Sequence, residues 1–526
     1  MSWSTTAASL TTGPTSVSGP KQAAWRPRGV GSLRSVIRRA TRLLLALAAL
    51  ALVASGCGSS KSTGSGLDTA LGYVPKGAPL VVAIDTDSDG GQWQQVDKLI
   101  GRFPFGGQVK QQFKNGFNSR AGLDYDRDFK PLLGGDFVVA ITAASAPGDP
   151  TPYVVAWKVG DEDAARRLAE KNGKKVDSIE GADTFQTTSG RLTAIKDGTL
   201  VSAGNTDALA AALKRPAGEH MSEQEFTDSL GDLEKDSLVR AVGNFQVLLS
   251  GPEAAAARKV KFLNALRTFG LTLRAEPDGI EYSFRAETAG GLRDGDLPLP
   301  PGAESAPVVR RAGEVGFGIR NPAQIWSFGQ SVARITDPAG YAKFTREKAQ
   351  LSKQLGVNVD RDLVGQLTGN AALSVGIDGA FALRADLRDP AAAARTLRKA
   401  APRLVQVGKK RGKSLGLSTP KGGQGFYALA TPNGKKIVFG VVGKSFVLAT
   451  DAARAAQFAG ESPSTVPGAK GSLVIASDAR SLANAVAKQR GQGVAAQIVT
   501  AALGDLIGSV EAEPGGITGS LKLHIK

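Results

Sequence analysis

The stretch Asp85-Thr86-Asp87-Ser88-Asp89-Gly90 is where the residue types and spacing of this 526-residue chain come nearest to chemistry. Alternate carboxylates followed by glycine form the first half of a calcium loop, in which oxygens wrap a hard cation. The twelfth position of such a loop should be Glu, to close the shell with two oxygens. Here it is Val96, with Asp97 one place late. No metal site is assigned; Asp85, Asp87 and Asp89 are the residues that would form one. The structural expectation is a strand end turning into a helix near Gly91, with Ser88 or Asp89 as its cap. Asp124, Asp126 and Asp128 also alternate, and Asn358, Asp360 and Asp362 answer them. The sixth and twelfth positions are Phe129 and Gly135, or Leu363 and Gly369, which do not suit calcium. Asp128 and Asp362 are instead expected to cap a short helical turn that Gly134-Gly135 and Gly369 end, with Arg127 and Arg361 pairing to a nearby carboxylate.

Other catalytic groups are scarce. The two histidines, His220 and His524, lie far apart in sequence. This removes Ser-His-Asp arrangements, the usual general base and zinc sites with several histidines. Ser418-Thr419-Pro420-Lys421 has S-x-x-K spacing, but a proline sits inside it and the companion motifs are missing. No phosphate-binding glycine motif is present, and no cofactor is expected. A hydrolase working with carboxylates alone would need two of them facing each other across a cleft at about 5–10 Å.

The single cysteine, Cys57, follows an order that has a meaning. Seven basic residues and no acidic one lie between Met1 and Arg42, Leu43–Ala54 is apolar throughout, and Ser55-Gly56-Cys57 closes the run. Twelve apolar residues are too few for a membrane-spanning helix, which needs about 20. The order is that of a secretory signal. Val53-Ala54-Ser55-Gly56-Cys57 resembles the lipobox of bacterial lipoproteins, with Ala54 where Leu is usual. The resemblance implies cleavage before Cys57 and a diacylglycerol on its sulfur, placing the protein on the outer face of the cell membrane. Val30 is an alternative start, and the export route stays open.

The elements that must hold these residues emerge from patterning. The formal charge is +17, and the seven basic residues before Cys57 leave about +10 for the rest of the chain, which favours anionic surroundings. Lys409-Lys410-Arg411-Gly412-Lys413 has no aromatic neighbours, so nucleic acid is not expected as a partner. Residues 1–56 read as a disordered start plus signal, and 57–66 as a lipidated flexible tether. Beyond the tether the chain repeats itself. GLDYDRDFKPLLGGDFVVAI at 122–141 aligns with GVNVDRDLVGQLTGNAALSV at 356–375, and AEPDGIEYS at 275–283 with AEPGGITGS at 512–520. The offsets are close to 235, so residues 67–288 and 305–526 are read as two copies of one design, with 289–304 as linker. Leu80–Asp85, Phe137–Thr142 and Tyr153–Val159 are strand-like, Asp161, Asn205 and Asp451 open helices, and Asp197-Gly198, Pro277-Asp278-Gly279 and Pro514-Gly515-Gly516 are hairpin turns. The expected class is α+β: two homologous lobes from an internal duplication, each a mainly antiparallel sheet covered by helices.

LGYVPKGAPLVVAIDTDSDGGQWQQVD at 71–97, with GLDYDRDFKPLLGGD after it, is similar to an actinobacterial exported family known as domain of unknown function 3352. The resemblance covers the chain from about Leu71 onward and brings no activity or catalytic residue. The expected role is a lipid-anchored, extracytoplasmic, non-enzymatic binding or scaffolding module of the cell envelope. The alternatives are a carrier of lipid or another apolar ligand and a carboxylate-dependent hydrolase. Its expected partners are the membrane through the anchor, and anionic envelope polymers or an apolar ligand.

Overall fold

The computed structural model describes residues 66–121, 124–144, 151–410, 414–420, 425–430, 434, 436–489 and 500–526. Cys57 and the tether before Gly66 lie outside them, as do Lys421 and the last three residues, 411–413, of the 409–413 basic run. The strands of the first half are β1 (Leu80–Asp85), β2 (Asp136–Ile141), β3 (Tyr153–Lys158), β4 (Gly173–Ile179), β5 (Ala182–Thr187), β6 (Leu192–Lys196), β7 (Thr199–Ala203), β8 (Val239–Asn244), β9 (Leu266–Glu276) and β10 (Gly279–Thr288). Those of the second are β11 (Glu314–Arg320), β12 (Asn370–Gly376), β13 (Phe381–Asp386), β14 (Gly416–Ser418), β15 (Phe426–Ala430), β16 (Lys436–Val442), β17 (Ser445–Ala449), β18 (Leu473–Asp478), β19 (Leu503–Glu513) and β20 (Gly516–Ile525).

All twenty belong to one sheet, and every pairing is antiparallel. The first half runs β4-β5-β6-β7-β3-β2-β1-β8-β9-β10. The second runs β14-β15-β16-β17-β13-β12-β11-β18-β19-β20. The two orders are the same, and the halves meet edge to edge through β10 and β20. Ser283 pairs with Ser520 at the seam, and Tyr282 with Leu521. Ser283 and Ser520 are also the residues that the sequence alignment of the halves matches, so the seam has the geometry of a two-fold axis.

Local chemistry explains the shared elements. Asp197 and Gly198, both at positive φ, make the β6–β7 turn, which suits the twist of a two-residue hairpin. Asp161 accepts from Ala164 N at 2.9 Å and Asp389 from Ala392 N at 2.8 Å, opening the helices Glu162–Asn172 and Pro390–Lys410. Asn205 and Asp451 do the same for Thr206–Leu213 and Ala452–Gly460. Gly135 and Gly369 sit where chains approach closely: a Cβ on Gly135 would meet Lys158 O at 2.4 Å, and one on Gly369 the Asp386 Cβ at 2.7 Å.

One expectation about these shared turns needs correction. Asp128 and Asp362 do not cap the turns at Tyr125–Phe129 and Val359–Leu363. Asp124 and Asn358 do, each accepting at 2.9 Å from the backbone of Arg127 or Arg361. Asp128 and Asp362 reach back to the backbone N–H of Asp124 and Asn358, so each turn is closed reciprocally in the manner of a capping box. Residues 289–304, between the two halves, carry buried side chains of their own. Leu292 and Leu297 are buried with Phe262, Leu266 and Ala512, and Ser472 Oγ donates to Pro300 O.

Candidate functional site

The aspartate loop sits at the end of β1. Asp85 Oδ1 accepts from Asp87 N at 2.8 Å, Asp87 Oδ1 accepts from Asp89 N at 3.1 Å, and Gly90 N donates to Asp87 O. The carboxylates thus brace successive turns of backbone. Among the described residues, no group of three or more His, Cys, Asp or Glu is placed to hold a metal ion. The helix Gly91–Gly101 begins where expected, but its cap is Gly90, without a side-chain bond, and neither Ser88 nor Asp89. Trp93 Nε1 donates to Asp85 O at 2.9 Å and fixes the helix on the strand end.

Asp85 is also part of a cluster that the sequence did not reveal. It lies opposite Asp136 on β2, and Arg240 on β8 ion-pairs with Asp136. Burial pushes the Asp85 carboxyl up to about 7; Asp136 and Asp87 add repulsion, while the Asp87 N–H and Arg240 pull it back. Burial raises Asp136 too, against the pull of Arg240. In the second half Arg320 and Asn370 occupy the same register and no such cluster forms. There a different buried charge appears: Glu314 meets Arg454 at 2.7 Å and accepts from Ser374 Oγ. Both clusters depend on strand pairing across more than 50 residues, so no local signal announces them.

The larger feature is the face of the sheet across the seam. Four rows run over β9, β10, β20 and β19 in register: Phe269, Ala286, Ile517, Ala512; Leu271, Phe284, Gly519, Val510; Leu273, Tyr282, Leu521, Gly508; and Ala275, Ile280, Leu523, Leu506. All sixteen are apolar or glycine apart from the Tyr282 hydroxyl. The opposite face carries Thr272, Ser283, Ser520 and Ser509, and Arg274, Glu281 and Lys522. Strict alternation sends one set to each side.

Coverage of this apolar face is uneven. Trp93 and Val96, from the helix Gly91–Gly101, pack with Leu271 and Ala275 at one side. Phe328, from the helix Pro322–Thr336, packs on Phe262, in the buried cluster against which Ala286 and Ile517 also pack at one end. The centre stays half-buried: Tyr282, Phe284, Leu506, Val510 and Leu523 are partly exposed, and Leu521 is 37% exposed. The second-half helix buries none of its residues fully, whereas Gly91–Gly101 buries Trp93, Val96 and Leu99. The outer strands already bury Leu271, Ala275, Gly508 and Ala512, so the trough left partly open is the middle of the face, around Tyr282, Phe284, Leu521 and Leu523. Its floor offers apolar contact and almost no hydrogen-bonding group. The alternation was visible in sequences such as LTLRAE and ITGSLKLHI; the pairing that merges four strands into one face was not.

With this geometry in view, the comparisons place the chain. Residues 39–459 match the model of a protein family of unknown function, DUF3352, and the chain belongs to that family. No curated protein matches. Among solved structures, crystal forms III and I of TP0453 share 12% and 13% identity, each with a TM-score of 0.25. They cover 44% and 43% of this chain, and 82% and 80% of their own. At that score the likeness carries no argument about fold or role. No described helix is long and apolar enough to cross a membrane.

Proposed function

We propose that this is a lipid-anchored, extracytoplasmic binding module, non-enzymatic, whose seam trough takes an apolar ligand such as the acyl chain of a lipid. The observation that carries the reading is the central face: sixteen in-register positions without a charged side chain, partly open to solvent. Monomeric proteins rarely leave large contiguous apolar patches uncovered unless something binds there. An apolar chain fits better than an enzyme substrate because the floor supplies contact and almost no polar group to orient a reaction. Anchoring rests on the basic, apolar, small-residue order before Cys57. Two acyl chains on Cys57 bury enough methylenes for stable attachment, at about 0.8 kcal/mol each. Descent of the halves from a duplication is supported by their matched motifs and equal strand orders.

The hydrolase reading has less support. Asp85 and Asp136, the carboxylates that meet, are neighbours on adjacent strands, with Arg240 on one of them, and do not face each other across a cleft. Two experiments test the proposal. Intact-mass analysis of the membrane fraction should show the chain beginning at acylated Cys57, and Cys57→Ser should abolish acylation; an unacylated parent would refute the anchor. Titration with an environment-sensitive apolar dye should saturate in the parent and fail in Leu521→Asp; equal binding in both would refute the trough.

A further inference from the structure

A second concavity lies away from the trough, beside the helix Gly66–Leu71 that the tether enters. It is an open cleft of about 300 Å3 lined by Thr69, Gly72, Tyr73, Lys196, Arg215 and His220, among others. That volume is at the lower end of small-ligand sites. Its ionisable lining is a phenol, a lysine, an arginine and an imidazole, and none of it is a carboxylate. Among the described residues no carboxylate lies within 4 Å of Lys196, Arg215 or His220, although Glu219 acts on Arg215 and Asp197 on Tyr73 from further away. Lys196 is held by backbone carbonyls, Leu213 O at 3.3 Å and Glu180 O at 3.5 Å. Arg215 is half-buried, and its Nε is buried without a hydrogen-bond partner. A buried donor left without a partner costs about 1–3 kcal/mol, and more on a charged group. The Nε itself is closed off from the cleft, but the terminal guanidinium nitrogens make no hydrogen bond or ion pair with a described residue, and a guanidinium matches phosphate geometry with paired donors.

We propose that the cleft formed by Tyr73, Lys196, Arg215 and His220 binds a phosphate-class oxyanion, with Arg215 as its principal donor. The proposal does not depend on what occupies the trough. A phospholipid headgroup and free phosphate present the same chemistry, so the test has an arm for each. The full chain and its Arg215→Gln form are titrated calorimetrically with inorganic phosphate against chloride at equal ionic strength. Cys57→Ser versions, which remove any anchor, are sedimented with phosphatidylcholine vesicles with and without phosphatidylglycerol. Thermal melts confirm that Arg215→Gln leaves the fold intact, and Lys343→Gln, on the distant helix Pro338–Leu355, controls for general charge. Saturable phosphate binding weakened at least tenfold by Arg215→Gln supports the site and free phosphate as its source. Vesicle binding that requires phosphatidylglycerol and falls with Arg215→Gln, but not with Lys343→Gln, supports the site and a headgroup as its source. No phosphate binding together with vesicle binding that Arg215→Gln leaves unchanged, or that both variants reduce alike, overturns the proposal.

Discussion

Replacing Asp85 with Asn should make the protein more stable above neutral pH and leave it unchanged in acid. The folded chain holds the Asp85 carboxyl up at about 7, against an ordinary value of 3.8, chiefly through burial. Between about pH 4 and pH 7 the folded form therefore keeps a proton that the unfolded chain has released. Stability from this group is full below the unfolded value and falls as pH rises through the folded one. At about 1.4 kcal/mol for each pH unit the ceiling is about 4 kcal/mol. Asp136, raised in the same direction, adds to the slope. Asp128, Asp183, Asp278 and Asp362 are held below the usual carboxylate range by Arg or Lys partners, so their contribution is lost only as the pH falls through their lowered values, outside this window. Asn keeps the oxygen that accepts from Asp87 N. Calorimetric melts at pH 4.5, 6 and 8 read the effect; about 1 kcal/mol shifts Tm by about 2–4 °C in a unit of 150–250 residues. The parent should lose stability towards pH 8, and Asp85→Asn should lose less. A variant equal to or weaker than the parent at pH 8, with the same pH slope, would rule out a buried, proton-holding Asp85.

The remaining expectations concern other sites. Asp124→Ala and Asn358→Ala each remove a cap of the same geometry, so each should cost about 1 kcal/mol, measured by chemical melts; a large cost at one site and none at the other would deny their equivalence. Glu314→Ala leaves Arg454 without its buried partner and should cost about 3–5 kcal/mol in the same assay. Asp87→Asn keeps the acceptor for Asp89 N and should be nearly neutral, with millimolar calcium shifting Tm no more than sodium at equal ionic strength; a calcium-specific rise abolished in the variant would make Asp85, Asp87 and Asp89 a metal site.

The parts of this structure that were legible in the sequence are the local ones. Asp161, Asn205 and Asp451 announce helix starts because a short polar side chain satisfies backbone N–H groups three residues on. Asp197-Gly198 announces a hairpin because both residues tolerate positive φ. The turn after Asp124 was misjudged by one partner: the alternating carboxylates share the work, Asp124 capping while Asp128 reaches back. The burial of Leu292 and Leu297 was not legible because a Gly- and Pro-rich composition hides two buried leucines. The trough and the Asp85–Asp136–Arg240 cluster were out of reach. Each arises from register between strands distant in the chain, and one slipped residue would turn every side chain to the other face.

The sharpest test of the seam trough is native mass spectrometry of the intact chain, released from detergent after purification from its own membranes, beside Leu521→Asp prepared identically. An occupied trough predicts a one-to-one adduct with the mass of an apolar, acyl-bearing molecule on the parent, beyond the acyl groups on Cys57, and its absence from the variant. A parent with no adduct, or an adduct that Leu521→Asp retains in full, would show that the trough is not a binding site.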